Sequence, residues 1–444
     1  MPFFGFVSLA HAFCGTYVGQ AGAELYNNAS QVAIARQGTR TTLTLAPDVE
    51  ANTPDFALVV PVPEVLSAED VAVVDPAIFA KLDAYSAPRL VSYTCDDFWY
   101  DDSVDYDGGD TGAAGEEADD SVTVEAEFEA GEYDVVVLSA EESGALIEWL
   151  NDNGYAVSLD AEELLGEYIE AGAYFFAARV ALDRVPAGQS WLSPLRFGYE
   201  SEVFSLPVRI GTLNAKAEQD LLLYVVADYA DGAVGISNYP EATVEEECLW
   251  QTEGETFGEF YAAQFAAAMA TTDRPGWVRE YAWGSGACDP CSGEPPSAED
   301  LATIGYEDSG GYYGTNAFFT RIHARWAPEE VDQDLVLYLS NDTTVGQVRY
   351  VEYAPELEDR FPVCGVGMVD DPGSCDDTWD DDGDGIPNSE DDDADGDGTP
   401  DGDDDPADLD DGKGDDAAAC GCGSPVAPAW GLAALAALAA RRRR

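Results

Sequence analysis

The sequence predicts an α+β protein, a β-dominated ectodomain with mainly antiparallel sheets and several helices. Three observations carry this. Short apolar runs with strand patterning outnumber the helical patterns. The helices do not alternate with the strands, as a parallel βαβ fold requires. The 444 residues, 46% apolar and 11% aromatic, suffice to bury at least one large core. The expected order is a signal peptide over 1–12, the ectodomain over 13–363, an acidic repeat stalk over 376–416, and a tail over 420–444 holding one C-terminal hydrophobic helix.

Residues 29–36 and 39–46 are β-rich and flank Gln37-Gly38, the signal of a hairpin. Residues 56–62 are almost wholly apolar and read as a buried strand. Asp75-Pro76 opens a helix through Tyr85, with Pro in the first turn and Ile78, Phe79 and Leu82 on one face; 89–94 returns as a strand. From Cys95 to Asp120 the chain turns to Asp, Gly and Glu and reads as a solvated loop. Residues 122–128 alternate strictly, and 133–138 follow the Gly131 turn as a second strand. A helix over 141–153 buries Leu146, Ile147 and Leu150, and Asp160 with Glu163 forms a capping box for another through Ile169. Strands follow at 174–182, 195–199, 206–210 and 221–227, then an amphipathic helix at 255–271 and strands at 277–283, 317–326, 335–339 and 347–353.

The formal charge of -68 repels phosphate, so nucleic acid and anionic lipid are excluded as partners of the folded part, and cations are favoured. The segment 376–416 holds 21 of the 88 acidic residues, so the ectodomain is acidic in its own right. The apolar run 3–12 ends in Ala10-His11-Ala12, an A-x-A cleavage signal at Ala12 without a basic n-region. Export makes the cysteines candidates for disulfides: Cys14, Cys95, Cys248, Cys288, Cys291, Cys364 and Cys375. Spacing does not determine connectivity; the expected pairs are Cys14 with Cys95 and Cys364 with Cys375. Cys288-x-x-Cys291 sits in a Gly- and Pro-rich loop with no second CxxC, which suits a local disulfide better than zinc.

Chemistry is sparsely signalled. There is no G-x-S-x-G, H-E-x-x-H, P-loop or G-x-G-x-x-G after a strand, and outside the leader His323 is the only histidine. A lone strand histidine reads as a satisfied structural residue. A hydrolase built on paired carboxylates stays open as the alternative, because carboxylates are too abundant for any one pair to stand out. Trp99, Tyr100, Tyr281, Trp283, Tyr312 and Tyr313 suit core or loop packing first and a ligand groove second.

Several landmarks together resemble an exported bacterial family, the domain of unknown function 2330. They are Phe13-Cys14-Gly15, DFALVVPVP over 55–63, the helix over 79–89 ending Ala87-Pro88-Arg89, WLNDNGY over 149–155, and the stretches 168–175, 205–210 and 320–334. The resemblance spans about 13–363 and implies one continuous domain, with no activity attached to it.

In the acidic stretch Asp380, Asp382, Asp384, Gly385, Asn388 and Asp391 take positions 1, 3, 5, 6, 9 and 12 of a calcium loop, with the Ile386 carbonyl at 7. Asp393, Asp395, Asp397, Gly398, Asp401 and Asp404 repeat it, with Thr399 at 7. Alternate carboxylates converge on one hard cation while the glycine turns the backbone. The two copies resemble thrombospondin type 3 repeats. Asp in place of Glu at position 12 implies weak Ca²⁺ binding, confined to the stalk.

Uncharged residues 421–440, with Trp430, Leu432, Leu435 and Leu438, then lead into Arg441 to Arg444, an apolar helix of spanning length with a basic cytoplasmic end. With Cys420 and Cys422 just before it, the tail is similar to the MYXO-CTERM sorting tags. That similarity implies cleavage by a sorting protease near Cys420 or Cys422, lipid attachment there, and a protein tethered to the membrane at the cell surface or outer membrane. The function expected from the whole is a surface-tethered, non-catalytic binding or envelope protein.

Overall fold

The computed structural model describes residues 16–19, 29–46, 56–93, 123–140, 143–152, 161–181, 183–185, 192–215, 217–251, 256–286, 293–308, 310 and 316–369. The chain divides into two units at Cys375/Asp376, and the described residues all belong to the first.

Two sheets stack face to face and each carries helices on its outer side. The smaller has five strands in the order β1 (Thr16–Gly19), β4 (Phe56–Val62), β9 (Tyr174–Val180), β8 (Tyr133–Ser139) and β7 (Thr123–Ala130), all antiparallel. The larger has eight strands in sequence: β14 (Glu241–Ala242), β16 (Trp277–Gly284), β17 (Ala317–Trp326), β12 (Gln219–Asp228), β2 (Ala29–Gln37), β3 (Arg40–Ala46), β10 (Leu195–Glu200) and β5 (Val71–Val73). A ninth, β19 (Gly346–Gln347), pairs with β16. At its centre β12 runs parallel to β2, and β14 runs parallel to β16; its other pairings are antiparallel.

Alternation assigns the faces. In β2, Val32 and Ile34 enter the core between the sheets, while Ala33 and Ala35 turn to the helix side. Leu58 and Val60 of β4, Val135 and Val137 of β8 and Phe176 of β9 meet Leu43, Phe197, Leu223 and Val225 of the large sheet in that core. Phe176 stacks on Phe197 with ring centroids 4.8 Å apart. On the outer face of the small sheet lie α2 (Ser143–Asp152) and α3 (Ala161–Glu170), burying Leu146, Ile147, Leu150 and Leu165 against Val59, Leu138, Phe175 and Ala177. The outer face of the large sheet carries α1 (Ala77–Ser86), α4 (Phe257–Met269) and α5 (Ala298–Thr303). Two three-stranded sheets complete the fold, β11 (Ser205–Leu206), β18 (Leu335–Leu339) and β13 (Val234–Ile236), and β15 (Leu249–Trp250), β20 (Arg349–Glu352) and β6 (Arg89–Val91).

Three expectations need correction. The strand expected over 206–210 ends at Leu206, and Arg209–Asn214 is a 3-10 helix. Pro207 has no N–H to continue a ladder, which stops the strand. The strand expected over 347–353 breaks at Val348 into β19 and β20, which serve different sheets. Cys364 pairs with Cys248, not with Cys375, because Leu249 bridges Val363 in parallel and holds the two Cα atoms 4.9 Å apart.

Candidate functional site

The helix-covered face of the large sheet holds a row of charged side chains in otherwise apolar strands. β17 reads AFFTRIHARW, and its alternation sends Ile322 and Ala324 into the core between the sheets. Arg321, His323 and Arg325 therefore emerge together on the other face. β12 brings Asp220 and Tyr224 beside them, and β16 brings Glu280 at the irregularity between Arg279 and Tyr281. From outside, α1 adds Asp83 and α4 adds Tyr261 and Phe265.

The contacts form one line of alternating sign. Asp83 accepts from Arg321 Nη1 at 2.6 Å, and Arg321 Nε donates to Glu280 Oε2 at 2.5 Å. Glu280 Oε1 lies 2.7 Å from His323 Nδ1, and His323 Nε2 lies 3.0 Å from Asp220 Oδ1. Arg325 closes the line on Asp220 with two parallel bonds, Nε to Oδ1 at 2.6 Å and Nη2 to Oδ2 at 2.8 Å. Tyr261 donates to Glu280 Oε1 at 2.5 Å, and Tyr224 to Asp83 Oδ1 at 3.1 Å. The Phe265 ring lies on the imidazole at 4.1 Å between centroids, and Arg325 sits 5.7 Å from the same ring.

Burial grades along the line. The Glu280 side chain is 1% exposed, Arg321 6% and Asp220 8%, whereas Asp83 at the α1 end is 45% exposed. Burial pushes the Glu280 carboxyl up, but His323 and Arg321 outweigh it and hold the group below the usual carboxylate range. Asp220 is likewise lowered: His323 and Arg325 overcome its burial. Burial would lower the His323 pKa, and Glu280 and Asp220 reverse that and raise it. An imidazole with a carboxylate on each nitrogen is stable as an imidazolium, the form in which both nitrogens donate.

This arrangement bears directly on the paired-carboxylate alternative. Glu280 and Asp220 are two buried acids on one face, yet the His323 ring fills the space between them. Neither is held protonated as a general acid must be, and neither His323 nitrogen is free to act as a base. Tyr281 is buried in the core and Trp283 packs against it, so both serve packing. Among the described residues no cluster of three or more His, Cys, Asp or Glu has metal-ligand geometry, and no helix is long and apolar enough to cross a membrane.

Of the residues singled out from the sequence, Cys248 and Cys364 are brought together as a disulfide. Ala12, Cys14, Cys95, Cys288, Cys291, Cys375, both calcium loops, Cys420 and Cys422 lie outside the described residues. Asp220, Glu280, Arg321 and Arg325 escape the sequence reading, although a signal exists. Three basic residues at alternate positions of a long apolar strand must share one face, and that face needs acids on the neighbouring strands.

No curated protein and no solved structure matches the chain. Residues 8–338 match the family described as an uncharacterized protein conserved in bacteria, DUF2330, a span that takes in the small sheet, every strand of the large sheet except β19, and the strands that carry the charged row. The chain belongs to the DUF2330 family of uncharacterized bacterial proteins.

Proposed function

We propose that the chain is an exported protein, tethered at the cell surface by its C-terminal tail, whose β-rich domain serves binding or envelope structure and is held off the membrane by a calcium-stiffened acidic stalk. The observation that carries the export half is the Cys248–Cys364 disulfide, which joins residues 116 apart in sequence. Such bonds persist outside the reducing cytosol. Against catalysis stands the charged row, whose acids and histidine are all spent on one another. In the stalk the loops starting at Asp380 and Asp393 supply the hard oxygen ligands that Ca²⁺ takes, and bound cations offset a charge that otherwise extends the segment by self-repulsion.

The test is made on protein taken from the bacterium. Intact-mass analysis of the mature chain is expected to show a C-terminus at or near Cys420 or Cys422, and thiol labelling of unreduced protein to leave Cys248 and Cys364 unmodified. A mature chain ending at Arg444, or a cytoplasmic pool with both thiols reactive, defeats the reading. The stalk is tested separately by calorimetric titration of the full chain with calcium. Asp382→Asn with Asp395→Asn is expected to abolish heat exchange seen at millimolar calcium; an unchanged titration removes calcium from the proposal.

A further inference from the structure

We propose that α4 is a proton-gated cover, latched onto the large sheet while His323 carries its proton and loosened when that proton leaves. The argument starts from charge balance. Asp83, Glu280 and Asp220 against Arg321, Arg325 and protonated His323 sum to zero along the line. Loss of one proton leaves a net negative charge in a setting where Glu280 is 1% exposed. It also leaves one ring nitrogen with a lone pair facing a carboxylate oxygen at hydrogen-bond distance, either Glu280 at 2.7 Å or Asp220 at 3.0 Å. Two acceptors cannot keep that separation, so the deprotonated state has to move.

The structure identifies what moves. The groups facing His323 come from β12 (Asp220), β16 (Glu280), β17 (Arg321 and Arg325) and α4 (Tyr261), with Tyr350 of β20 behind Tyr261 and the charge of Glu218, just before β12, acting on Arg325. Tyr224 and Asp83 stand one step away, beyond Arg321. The strands are fixed by ladders on both sides of β12 and β17. The helix is held differently. Among its residues, Phe265 lies on the imidazole and under Arg325, and Tyr261 bonds to the carboxylate that bonds to the imidazole. An aromatic face attracts an imidazolium more strongly than a neutral ring, so deprotonation weakens the stack, and a Glu280 carboxylate that shifts away from the bare nitrogen shifts the acceptor that Tyr261 bonds to. Phe260 and Ala268 remain as apolar anchors, which makes the response a loosening of α4 and not an unfolding of the domain.

Wild-type protein labelled with nitrogen-15 is followed by imidazole NMR and by amide hydrogen exchange from pH 5 to 9, with exchange rates corrected for intrinsic base catalysis. Variant His11→Gln identifies the second histidine signal. His323 is expected to show both nitrogens protonated at neutral pH and to titrate above the ordinary imidazole value. Across that same step, protection of α4 is expected to fall about tenfold or more, the loss of one hydrogen bond to a charged group, while α2 on the other sheet keeps its protection. Asp220→Asn removes one of the two charges that hold the proton, so the step is expected at lower pH. A neutral His323 below its ordinary value, α4 protection that ignores the titration, or a step unmoved in Asp220→Asn each overturns the proposal.

Discussion

At the scale of single residues, exposure decides what each charged group contributes. Arg321 is buried between Glu280 and Asp83, so Arg321→Met strands a buried carboxylate and is expected to cost about 3–5 kcal/mol in urea unfolding. Asp83→Asn removes the exposed end of the same line and is expected to cost under about 1 kcal/mol. If the two variants lose equal amounts, the row is not graded by burial. The pH profile follows from signs. His323 has a raised pKa in the fold, so its stabilisation is complete below about 6.5, the unfolded value, and is lost as pH rises through the folded value. Asp220 and Glu280 are depressed, so theirs is complete above about 4.5 and is lost as pH falls through their folded values. The row therefore contributes most from about pH 4.5 to 6.5. Denaturant midpoints across pH are expected to decline on the alkaline side in wild type, and His323→Gln is expected to flatten that decline.

At the scale of elements, two hairpins rest on the same device under different constraint. β2 and β3 are joined through Gly38, and β7 and β8 through Gly131, each glycine at the first loop position with φ of 58° and 54°. Any L side chain is strained there. A Cβ at Gly38 meets nothing within 4 Å, whereas one at Gly131 falls 2.7 Å from Val73 Cγ2. Gly38→Ala is expected to cost about 1 kcal/mol, and Gly131→Ala clearly more, because it displaces β5 as well; thermal melts of the two purified variants compare them directly. These hairpins are legible in the sequence because turn and alternation are local. The same holds for α1, whose start at Asp75-Pro76 is marked and where Asp75 Oδ1 accepts from Ala77 N at 2.9 Å. What the sequence hides is pairing between distant segments. The parallel match of β12 with β2 and the three-residue strands β5 and β13 depend on partners more than a hundred residues away, and the split of β19 from β20 follows from distant partners in two different sheets, β16 for the one and β6 and β15 for the other. The charged row is hidden for that reason too: its bases all sit on β17 while its acids come from β12, β16 and α1, and the register of β12, β17 and β16 with the packing of α1 brings them face to face. Among the described residues β7 is the last strand of the small sheet, and Glu127 and Glu129 are exposed along it, the kind of charge that discourages edge-to-edge pairing.

At the scale of the whole molecule, a large negative charge works against a small covalent constraint. A formal charge of -68 raises the energy of any compact state, because like charges are brought nearer than in the unfolded chain. The Cys248–Cys364 bond acts on the other side of the equilibrium: it closes 116 residues and prevents the unfolded chain from expanding fully. Loop-closure entropy for that length amounts to about 5 kcal/mol. Cys248→Ser with Cys364→Ser is therefore expected to lower urea stability by several kcal/mol and to raise the m-value, since the unlinked chain exposes more surface on unfolding. The bond also has a local role, because Cys248 is buried beside Trp250, Phe260 and Tyr350 under α4. The two contributions separate by salt and by slope. Screening relieves repulsion in the compact state, so sodium chloride is expected to raise the midpoint of both forms. If the unfolded chain is what the disulfide constrains, the m-value difference persists at every salt concentration. A stability loss with unchanged m would instead assign the bond's effect to packing around Cys248.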